Sequence, residues 1–207
     1  VLVTGANGFV GPHLIQALIE SGHSVVATGS HGKTDLPHGT ELVGLDLTDR
    51  GQVDGLDFRT IDGVIHLAGL AAVGPSFDAP MHYIDVNGGI EINLFEAAQA
   101  QGAKPKFVII SSGSLYDPSS PLRLTEDSTV KCASPYSVSK LLQEQLAAYY
   151  GIRGLECVMA RPFNDIGPGQ KPGFLVPALA QQLAAAEVSG VDTGGAGNVG
   201  GKRCHPG

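Results

Sequence analysis

A tyrosine and a lysine stand four residues apart at the start of a helical pattern, and this pair could transfer protons. Tyr136 and Lys140 share one face of that helix, because side chains four residues apart are neighbours on a helix surface. A free tyrosine has a pKa of about 10 and is a poor acid or base at neutral pH. The neighbouring ammonium favours the phenolate, which predicts a lowered pKa and an acid–base role for Tyr136.

A serine-rich segment could complete this pair. The unbroken apolar run at residues 107–110 predicts a strand buried on both faces, and Ser111, Ser112 and Ser114 follow at its carboxyl end. A serine from this strand end could hold a substrate oxygen and share its proton with Tyr136. The spacing leaves open which serine it is.

Three glycines at three-residue intervals lie at the start of the chain. Gly5, Gly8 and Gly11 follow an apolar run at residues 1–3 and precede a helical stripe of leucine and isoleucine. A strand, a tight glycine turn and a helix place backbone N–H groups and a positive helix end at a pyrophosphate. The pattern predicts nucleotide binding, and a plain strand–helix turn is the alternative. The residues assigned to cofactor contacts here are Gly5, Asn7, Gly8, Phe9, Val10 and Gly11.

The end of the second predicted strand, residues 24–28, bears on the choice between NAD and NADP. An acidic residue at this position usually holds the ribose hydroxyls of NAD. Residues 29–33 contain no carboxylate, and the first one is Asp35. The absent carboxylate and the nearby Lys33 or His31 favour NADP over NAD. A loop of small residues that accepts either cofactor is the alternative.

Two further strand ends offer cofactor contacts. After a predicted strand at residues 42–45, Asp46 could accept a hydrogen bond from an adenine amino group while Leu47 packs on the ring. Equally, Asp46 could cap the next turn. The strand within residues 63–69 runs into small residues, which would let a cofactor lie across the sheet edge. The residues assigned there are Leu67, Ala68 and Gly69.

For two polar residues the sequence favours a structural or positioning role over a catalytic one. His66 stands at a strand end, where a histidine is more often packed and hydrogen bonded than catalytic. Asn87 lies inside a long helical pattern at residues 78–100, where it could position a backbone carbonyl, a water or Lys140. The cysteines have no ligand-like spacing, so we expect ordinary thiols and no metal site. They are Cys132, Cys157 and Cys204.

The composition argues against several classes of partner. The chain has 207 residues, of which 43% are hydrophobic and 16% charged, enough for one well-packed α/β domain. A net charge of −7 without a basic run argues against nucleic acid and anionic membranes. No apolar run has the length of a membrane span, and no charged export segment is visible. We expect a cytoplasmic protein.

The order of the predicted elements is that of a Rossmann-like fold. Strands and helices alternate, which predicts an α/β architecture: a doubly wound parallel sheet with helices on both faces. We assign residues 1–188 to this NAD(P)-binding domain with part of a substrate loop region, and the glycine-rich residues 189–207 to a disordered tail. The tail begins where a small C-terminal substrate lobe would be expected, so we predict that the chain is truncated and that most of this lobe is missing.

Together these motifs resemble the extended short-chain dehydrogenase/reductase superfamily, and its sugar-nucleotide branch most closely. The resemblance rests on the glycine turn at residues 4–11, the strand-end Ser112, Tyr136 with Lys140, and residues 161–164. It implies a Rossmann domain, a bound nicotinamide cofactor, and Ser112, Tyr136 and Lys140 as the catalytic set.

The same resemblance assigns further residues and a partner. It implies that Asn87 supports Lys140, that Pro162 contacts the cofactor, and that Asn164 contacts a sugar nucleotide. It also implies a homodimer in which the two long helices of each subunit form a four-helix bundle.

The loops indicate the branch of the superfamily. The 4,6-dehydratases carry an acidic residue directly after the catalytic Ser or Thr, but here glycine and serine follow Ser112, so dehydration is disfavoured. Residues 162–170, with 173–177 after them, are similar to GDP-6-deoxy-4-keto-mannose reductases, although Asp165 replaces their usual histidine. Residues 66–74 are similar to UDP-glucose 4-epimerases.

These resemblances imply an NADP(H)-dependent reductase of a nucleotide-linked 4-keto-6-deoxy sugar. The nicotinamide would pass a hydride to C4 while Tyr136 donates a proton to the developing alkoxide. Ser112 would hold that oxygen, and Lys140 would bind the nicotinamide ribose. An NAD-dependent nucleotide-sugar 4-epimerase, which uses the same residues, is the main alternative. A nucleotide-binding protein without catalysis is a third, because the fold permits it.

Overall fold

Six parallel strands form one sheet in the computed structural model, which describes residues 1–29, 36–121, 123–171 and 174–189. The strands are β1 (Leu2–Thr4), β2 (Val25–Gly29), β3 (Thr40–Gly44), β4 (Gly63–His66), β5 (Lys106–Ile110) and β6 (Glu156–Ala160). The helices are α1 (Val10–Glu20), α2 (Arg50–Asp54), α3 (Val73–Ser76), α4 (Pro80–Ala100), α5 (Pro135–Ile152) and α6 (Leu175–Ser189).

The order of the strands places a binding crevice at the centre of the sheet. The order is β3-β2-β1-β4-β5-β6, and all neighbouring pairs are parallel. The chain direction across the sheet reverses between β1 and β4, and ligands of such sheets bind at the carboxyl ends of the strands at this point. The predicted Rossmann-like sheet is confirmed.

The sheet is buried on both faces at β1. Leu2 and Val3 point to opposite sides, as neighbours on a strand do, and they belong to two separate apolar clusters. The Leu2 cluster contains Phe95 of α4 and Phe107 of β5, whose ring centroids lie 4.8 Å apart. The Val3 cluster contains Ile15 of α1. This burial fixes the strand from which the glycine turn leaves the sheet.

Helix α5 begins at a complete N-terminal cap. Ser134 Oγ accepts a hydrogen bond from Ser137 N at 3.1 Å, and Ser137 Oγ accepts one from Ser134 N at 3.0 Å. Pro135 occupies the first turn, where its fixed φ suits a helix start. The cap therefore fixes Tyr136 and Lys140 on the first two turns.

The chain divides into two compact units. The first, Val1–Pro162, contains the whole described sheet and helices α1 to α5, and the second begins at Phe163 and contains α6. The predicted boundary at residue 188 falls within the second unit, and residues 190–207 lie outside the described residues. The predicted division into domain and tail stays a prediction.

No helix in the described ranges is long and apolar enough to cross a membrane. Among the same residues, no group of three or more His, Cys, Asp or Glu side chains is arranged to hold a metal ion. Cys132 and Cys157 are free thiols, and Cys204 lies outside the described residues.

Candidate active site

The glycine turn after β1 depends on close backbone approaches. Gly5 has a φ of +67°, where L side chains are strained, and a Cβ there would lie 2.7 Å from Ala68 N. A Cβ at Gly11 would collide with the carbonyl of Ala6, whose carbon would be 2.6 Å away. The two glycines therefore let the turn pack against the chain after β4 and against α1.

Helix α1 begins at this turn. Its N-cap residue is Phe9, whose side chain forms no cap hydrogen bond to the first N–H groups. Such groups carry partial positive charge and bind anions. Hydrogen bonds from Ala6 N to Thr28 O (3.0 Å) and from Gly8 N to Gly5 O (2.9 Å) hold the turn. The residues present thus fit the pyrophosphate of a dinucleotide.

The adenosine side of the predicted site is described in part. Gly29 ends β2 against the Asn7 side chain, and a Cβ there would lie 2.9 Å from Asn7 Cγ. Residues 30–35, which include the His31, Lys33 and Asp35 of the NADP argument, lie outside the described residues. That argument stays a prediction.

The side chains of Asp46 and Leu47 make contacts within the protein. Asp46 Oδ1 accepts hydrogen bonds from Thr48 N (2.9 Å) and Thr48 Oγ1 (2.7 Å), which is the turn-capping role left open above. Leu47 is 7% exposed and belongs to the core beside α4. Most of its side chain therefore packs in the core, whereas the sequence predicts packing on an adenine ring. A cofactor contact by its exposed edge stays a prediction.

His66 is a packed and hydrogen-bonded residue, as expected. Thr4 Oγ1 accepts a hydrogen bond from Ala68 N at 3.1 Å and shares a second hydrogen bond with His66 Nδ1 at 2.8 Å. Burial lowers the pKa of His66 to about 3, and the charge of Lys140 adds to this effect. The ring is neutral at physiological pH and cannot act as an acid there.

Ser112 and Tyr136 meet at the carboxyl end of β5. Ser112 Oγ donates a hydrogen bond to Ser114 Oγ at 2.9 Å and accepts one from Ser114 N at 3.1 Å. Tyr136 is 8% exposed, and the Ser112 side chain lies close enough to lower its pKa. The structure thus brings together two of the three predicted catalytic residues.

The pKa of Tyr136 differs from the sequence expectation. Burial raises it above the ordinary tyrosine value because a buried phenolate loses its hydration, and the nearby Ser112 hydroxyl offsets this only in part. Tyr83, whose ring stands edge-on with its centroid 6.5 Å away, raises the pKa further. The predicted lowering by Lys140 is wrong for this arrangement, since the lysine hydrogen bonds elsewhere.

Lys140 is held by β5 and by its own helix. Its Nζ donates to Ile110 O at 2.8 Å and to Gln143 Oε1 at 2.9 Å. Burial lowers the pKa of Lys140 to about 8, and the carboxyl of Glu91 acts in the opposite direction. The ammonium therefore has fixed acceptors but little contact with water.

Asn87 is connected to Lys140 through its backbone carbonyl and Gln143. Its Oδ1 accepts from Leu70 N at 2.7 Å, and its Nδ2 donates to Leu70 O at 3.2 Å and to Ser139 Oγ at 2.9 Å. Its backbone oxygen accepts from Gln143 Nε2 at 3.2 Å. The side chain therefore ties the chain after β4 to α5, and the backbone supports Lys140 through Gln143.

Pro162 and Asn164 follow β6. The Pro162 carbonyl accepts a hydrogen bond from Gly113 N at 2.8 Å and so holds the segment directly after Ser112. Its predicted cofactor contact is untested. Asn164 lies in the second unit, and its predicted contact with a sugar nucleotide is likewise untested.

Sequence reasoning missed an ion pair that ties β6 to α5. Glu144 accepts hydrogen bonds from Arg161 Nε and Nη2, both at 2.7 Å, and the two side chains are 7% and 20% exposed. The Arg161 guanidinium also lies 5.0 Å from the centroid of the Tyr116 ring. The available signal was position: Glu144 is one helical turn after Lys140, on the same face.

The amino-acid sequence matches the NAD dependent epimerase/dehydratase family over residues 1–200. The chain belongs to this family. The family match confirms the resemblance to extended short-chain dehydrogenases/reductases that the motifs indicate.

Members of the family with known activities resemble the chain over most of its length. The GDP-6-deoxy-D-mannose reductase of Pseudomonas aeruginosa is 36% identical over 187 residues, which cover 89% of this chain and 58% of the reductase. The structure of RMD from the same organism, complexed with NADPH, matches with a TM-score of 0.74 and 32% identity, over 93% of this chain and 63% of that one.

An epimerase of the family is also similar in structure. The Thermus thermophilus UDP-glucose 4-epimerase, in complex with NAD, matches with a TM-score of 0.81 and 31% identity, over 89% of this chain and 62% of that one. The chain thus spans about three fifths of the length of these relatives.

Proposed function

We propose that the chain carries the cofactor site and catalytic residues of an NADP(H)-dependent reductase of a nucleotide-linked 4-keto-6-deoxy sugar. The observation that supports this best is the placement of the Ser112 hydroxyl near the buried Tyr136. Two hydroxyls so placed can hold and protonate a carbonyl oxygen. The adjoining side chain is the hydroxyl of Ser114 and not a carboxylate, so the base that dehydration requires is absent at this position.

A GDP-linked 4-keto-6-deoxymannose is the proposed substrate. Its support is the 36% identity to the Pseudomonas aeruginosa GDP-6-deoxy-D-mannose reductase, together with the similar sequence at residues 162–170. NADPH is the proposed cofactor, because the related RMD structure contains it. NAD is the alternative, as in the Thermus thermophilus epimerase structure.

Each residue of the site has a separate role in the proposed reaction. When bound, the nicotinamide supplies the hydride. The glycine turn and the N-terminus of α1 would hold the cofactor's pyrophosphate, residues 67–69 would line its path across the sheet, and Lys140 would bind its ribose. Tyr136 would donate its proton to the sugar oxygen while Ser112 holds that oxygen. Its raised pKa suits this direction, because the phenol keeps its proton until charge develops.

A nucleotide-sugar 4-epimerase is the second candidate. The observation that favours it is the higher structural similarity to the Thermus thermophilus epimerase, with a TM-score of 0.81 against 0.74 for RMD. An epimerase would use Ser112, Tyr136 and Lys140 in the same places but retain its cofactor and return the hydride to the opposite face.

Cofactor consumption separates the two functions. The full chain is titrated with NADPH and NADH, and then NADPH absorbance is followed with GDP-4-keto-6-deoxymannose as substrate. We expect tighter binding of NADPH and one NADPH oxidised per product formed. Interconversion of UDP-glucose and UDP-galactose without net cofactor change would replace the reductase with the epimerase. Cofactor binding without either reaction would favour the non-catalytic alternative.

A further inference from the structure

A buried carboxyl on α4 has no role in the function proposed above. Glu91 is fully buried, and neither of its carboxyl oxygens has a hydrogen-bond partner of good geometry among the described residues. A carboxylate in such a position is costly, so the group is either neutral or balanced by a nearby positive charge. If Glu91 served only to fill space in the core, an apolar side chain of similar size would stabilise the protein more.

Glu91 lies beside the hydrogen-bond network that holds Lys140. It stands one helical turn after Asn87, whose carbonyl accepts from Gln143 Nε2 at 3.2 Å. Gln143 Oε1 accepts from Lys140 Nζ at 2.9 Å. The two helices approach closely here, because a Cβ at Gly88 would lie 2.9 Å from Leu142 Cδ2. The carboxyl and the ammonium are both buried beside the packing of α4 on α5, and their charges interact.

Among the described residues, few other titratable groups interact with this pair. The charges of Lys140 on α5 and Cys157 on β6 interact with Glu91, and His66 on β4 interacts with Lys140. Burial and the Glu91 charge raise the pKa of Cys157 to about 11, and His66 stays neutral. Near neutral pH, the exchange of protons is thus confined to Glu91 and Lys140.

We propose that Glu91 is a positioning residue whose buried carboxyl exchanges its proton together with Lys140 and whose carboxylate keeps the lysine charged at alkaline pH. The ammonium has two fixed acceptors, Ile110 O and Gln143 Oε1, which stabilise its charged form. Burial raises the pKa of Glu91 to about 8, against the effects of Gln143 and Lys140. At neutral pH the carboxyl is protonated, and above that range its carboxylate offsets the lysine charge.

This coupling bears on the proposed reaction, on which its functional meaning rests. A charged Lys140 is required to bind the nicotinamide ribose and to stabilise Tyr136 after its proton has left. Without Glu91 the desolvated lysine would lose its proton at lower pH, because no carboxylate would form beside it. The two residues then titrate as one unit with shared apparent pKa values.

An infrared pH titration of the full chain tests the first half of this inference without cofactor or substrate. We expect a protonated-carboxyl band at neutral pH that is lost near pH 8 and is missing in Glu91→Gln. Glu96→Gln is the matched control: it lies on the same helix, but its carboxyl accepts from Tyr150 Oη and is partly exposed, so the band should persist. A wild-type protein without such a band at neutral pH would overturn the inference.

The titration of the lysine itself tests the second half. In nitrogen-labelled protein, the Lys140 ammonium, assigned with Lys140→Met, should titrate about one pH unit lower in Glu91→Gln than in the wild type. Glu91→Asp keeps a carboxyl and should restore part of the shift. The alkaline limb of the pH profile of kcat/KM should shift to lower pH together with the Lys140 midpoint. An unchanged Lys140 midpoint in Glu91→Gln contradicts the inference, whereas failure of the reductase assay alone contradicts only the proposed function.

Discussion

At the scale of single residues, burial decides which side chains of this site can exchange protons. It is the largest influence on Tyr136, Lys140 and His66, and it acts against the charged form in each. His66 is thereby excluded as an acid at neutral pH, Tyr136 is kept in its protonated form, and Lys140 is brought towards the physiological range. The direction of each pKa shift is therefore predicted better by the burial of the group than by the charged residues near it in the sequence.

Tyr136→Phe should lower reductase turnover by about 10²- to 10⁴-fold, because the proton donor is lost while the ring still fills its place. NADPH binding should change little. Turnover and binding are measured on the same preparation, with Tyr149→Phe, an exposed tyrosine on the same helix, as the control. Full activity in Tyr136→Phe would remove the tyrosine from the mechanism.

His66 should make the protein sensitive to acid. Its folded pKa of about 3 lies below the ordinary value of 6.5, so its stabilising effect is complete above pH 6.5 and is lost as the pH falls towards 3. Between pH 7 and pH 4 this one group should lower the free energy of unfolding by on the order of 3 kcal/mol. Urea unfolding of wild type and His66→Gln at both pH values checks this. An equal loss in both proteins would contradict it.

At the scale of elements, the junction of β1, the glycine turn and α1 leaves no room for a Cβ at Gly5 or Gly11. Gly11→Ala should destabilise the protein by about 1–3 kcal/mol and abolish NADPH binding, because its Cβ meets the Ala6 carbonyl. Gly151→Ala in α5 meets nothing within 4 Å and should instead be neutral or stabilise by up to about 1 kcal/mol. Thermal unfolding and cofactor titration of both variants provide the comparison. Retained NADPH binding in Gly11→Ala would argue against the proposed cofactor site.

A buried ion pair connects Arg161, directly after β6, to Glu144 of α5. Arg161→Gln leaves the Glu144 carboxylate 7% exposed without its partner and should cost about 3 kcal/mol of unfolding free energy. Arg50→Gln breaks a pair whose side chains are 40% and 49% exposed, and should cost about 0.5 kcal/mol. Denaturant titrations compare the two. A similar cost for both would mean that Arg161 acts through packing alone.

The elements could be predicted better than the contacts between them. Apolar runs and glycine spacing were enough for the six strands, and β6 was placed at its observed bounds, Glu156–Ala160. The packing of Leu47 in the core was not predicted, because a periodic pattern does not show which face packs on a neighbouring helix. Glu91 and Gln143 were missed because a charged or amide side chain within a helix normally faces water, and only the packing of α4 on α5 buries them.

At the scale of the whole molecule, apolar side chains remain exposed on α4 and α5. They are Met81, Ile92, Val138, Tyr149 and Ile152. This supports the dimer that the resemblance implies, and we expect Ile92→Glu to shift the full chain towards monomer in sedimentation equilibrium. Leu183→Glu, at an exposed position of α6, is the control and should leave the association unchanged. A monomeric wild-type chain would rule out the bundle.

The central place of β1 has a consequence for the way the chain folds during synthesis. Leu2 pairs with Val26 of β2 on one side and with Val64 of β4 on the other, so β1 cannot gain its second neighbouring strand until β4 has left the ribosome. Parallel pairing between segments so distant in sequence is slow. Until then, an apolar strand and its glycine turn stay open to other chains, which makes this stretch a natural target for chaperones.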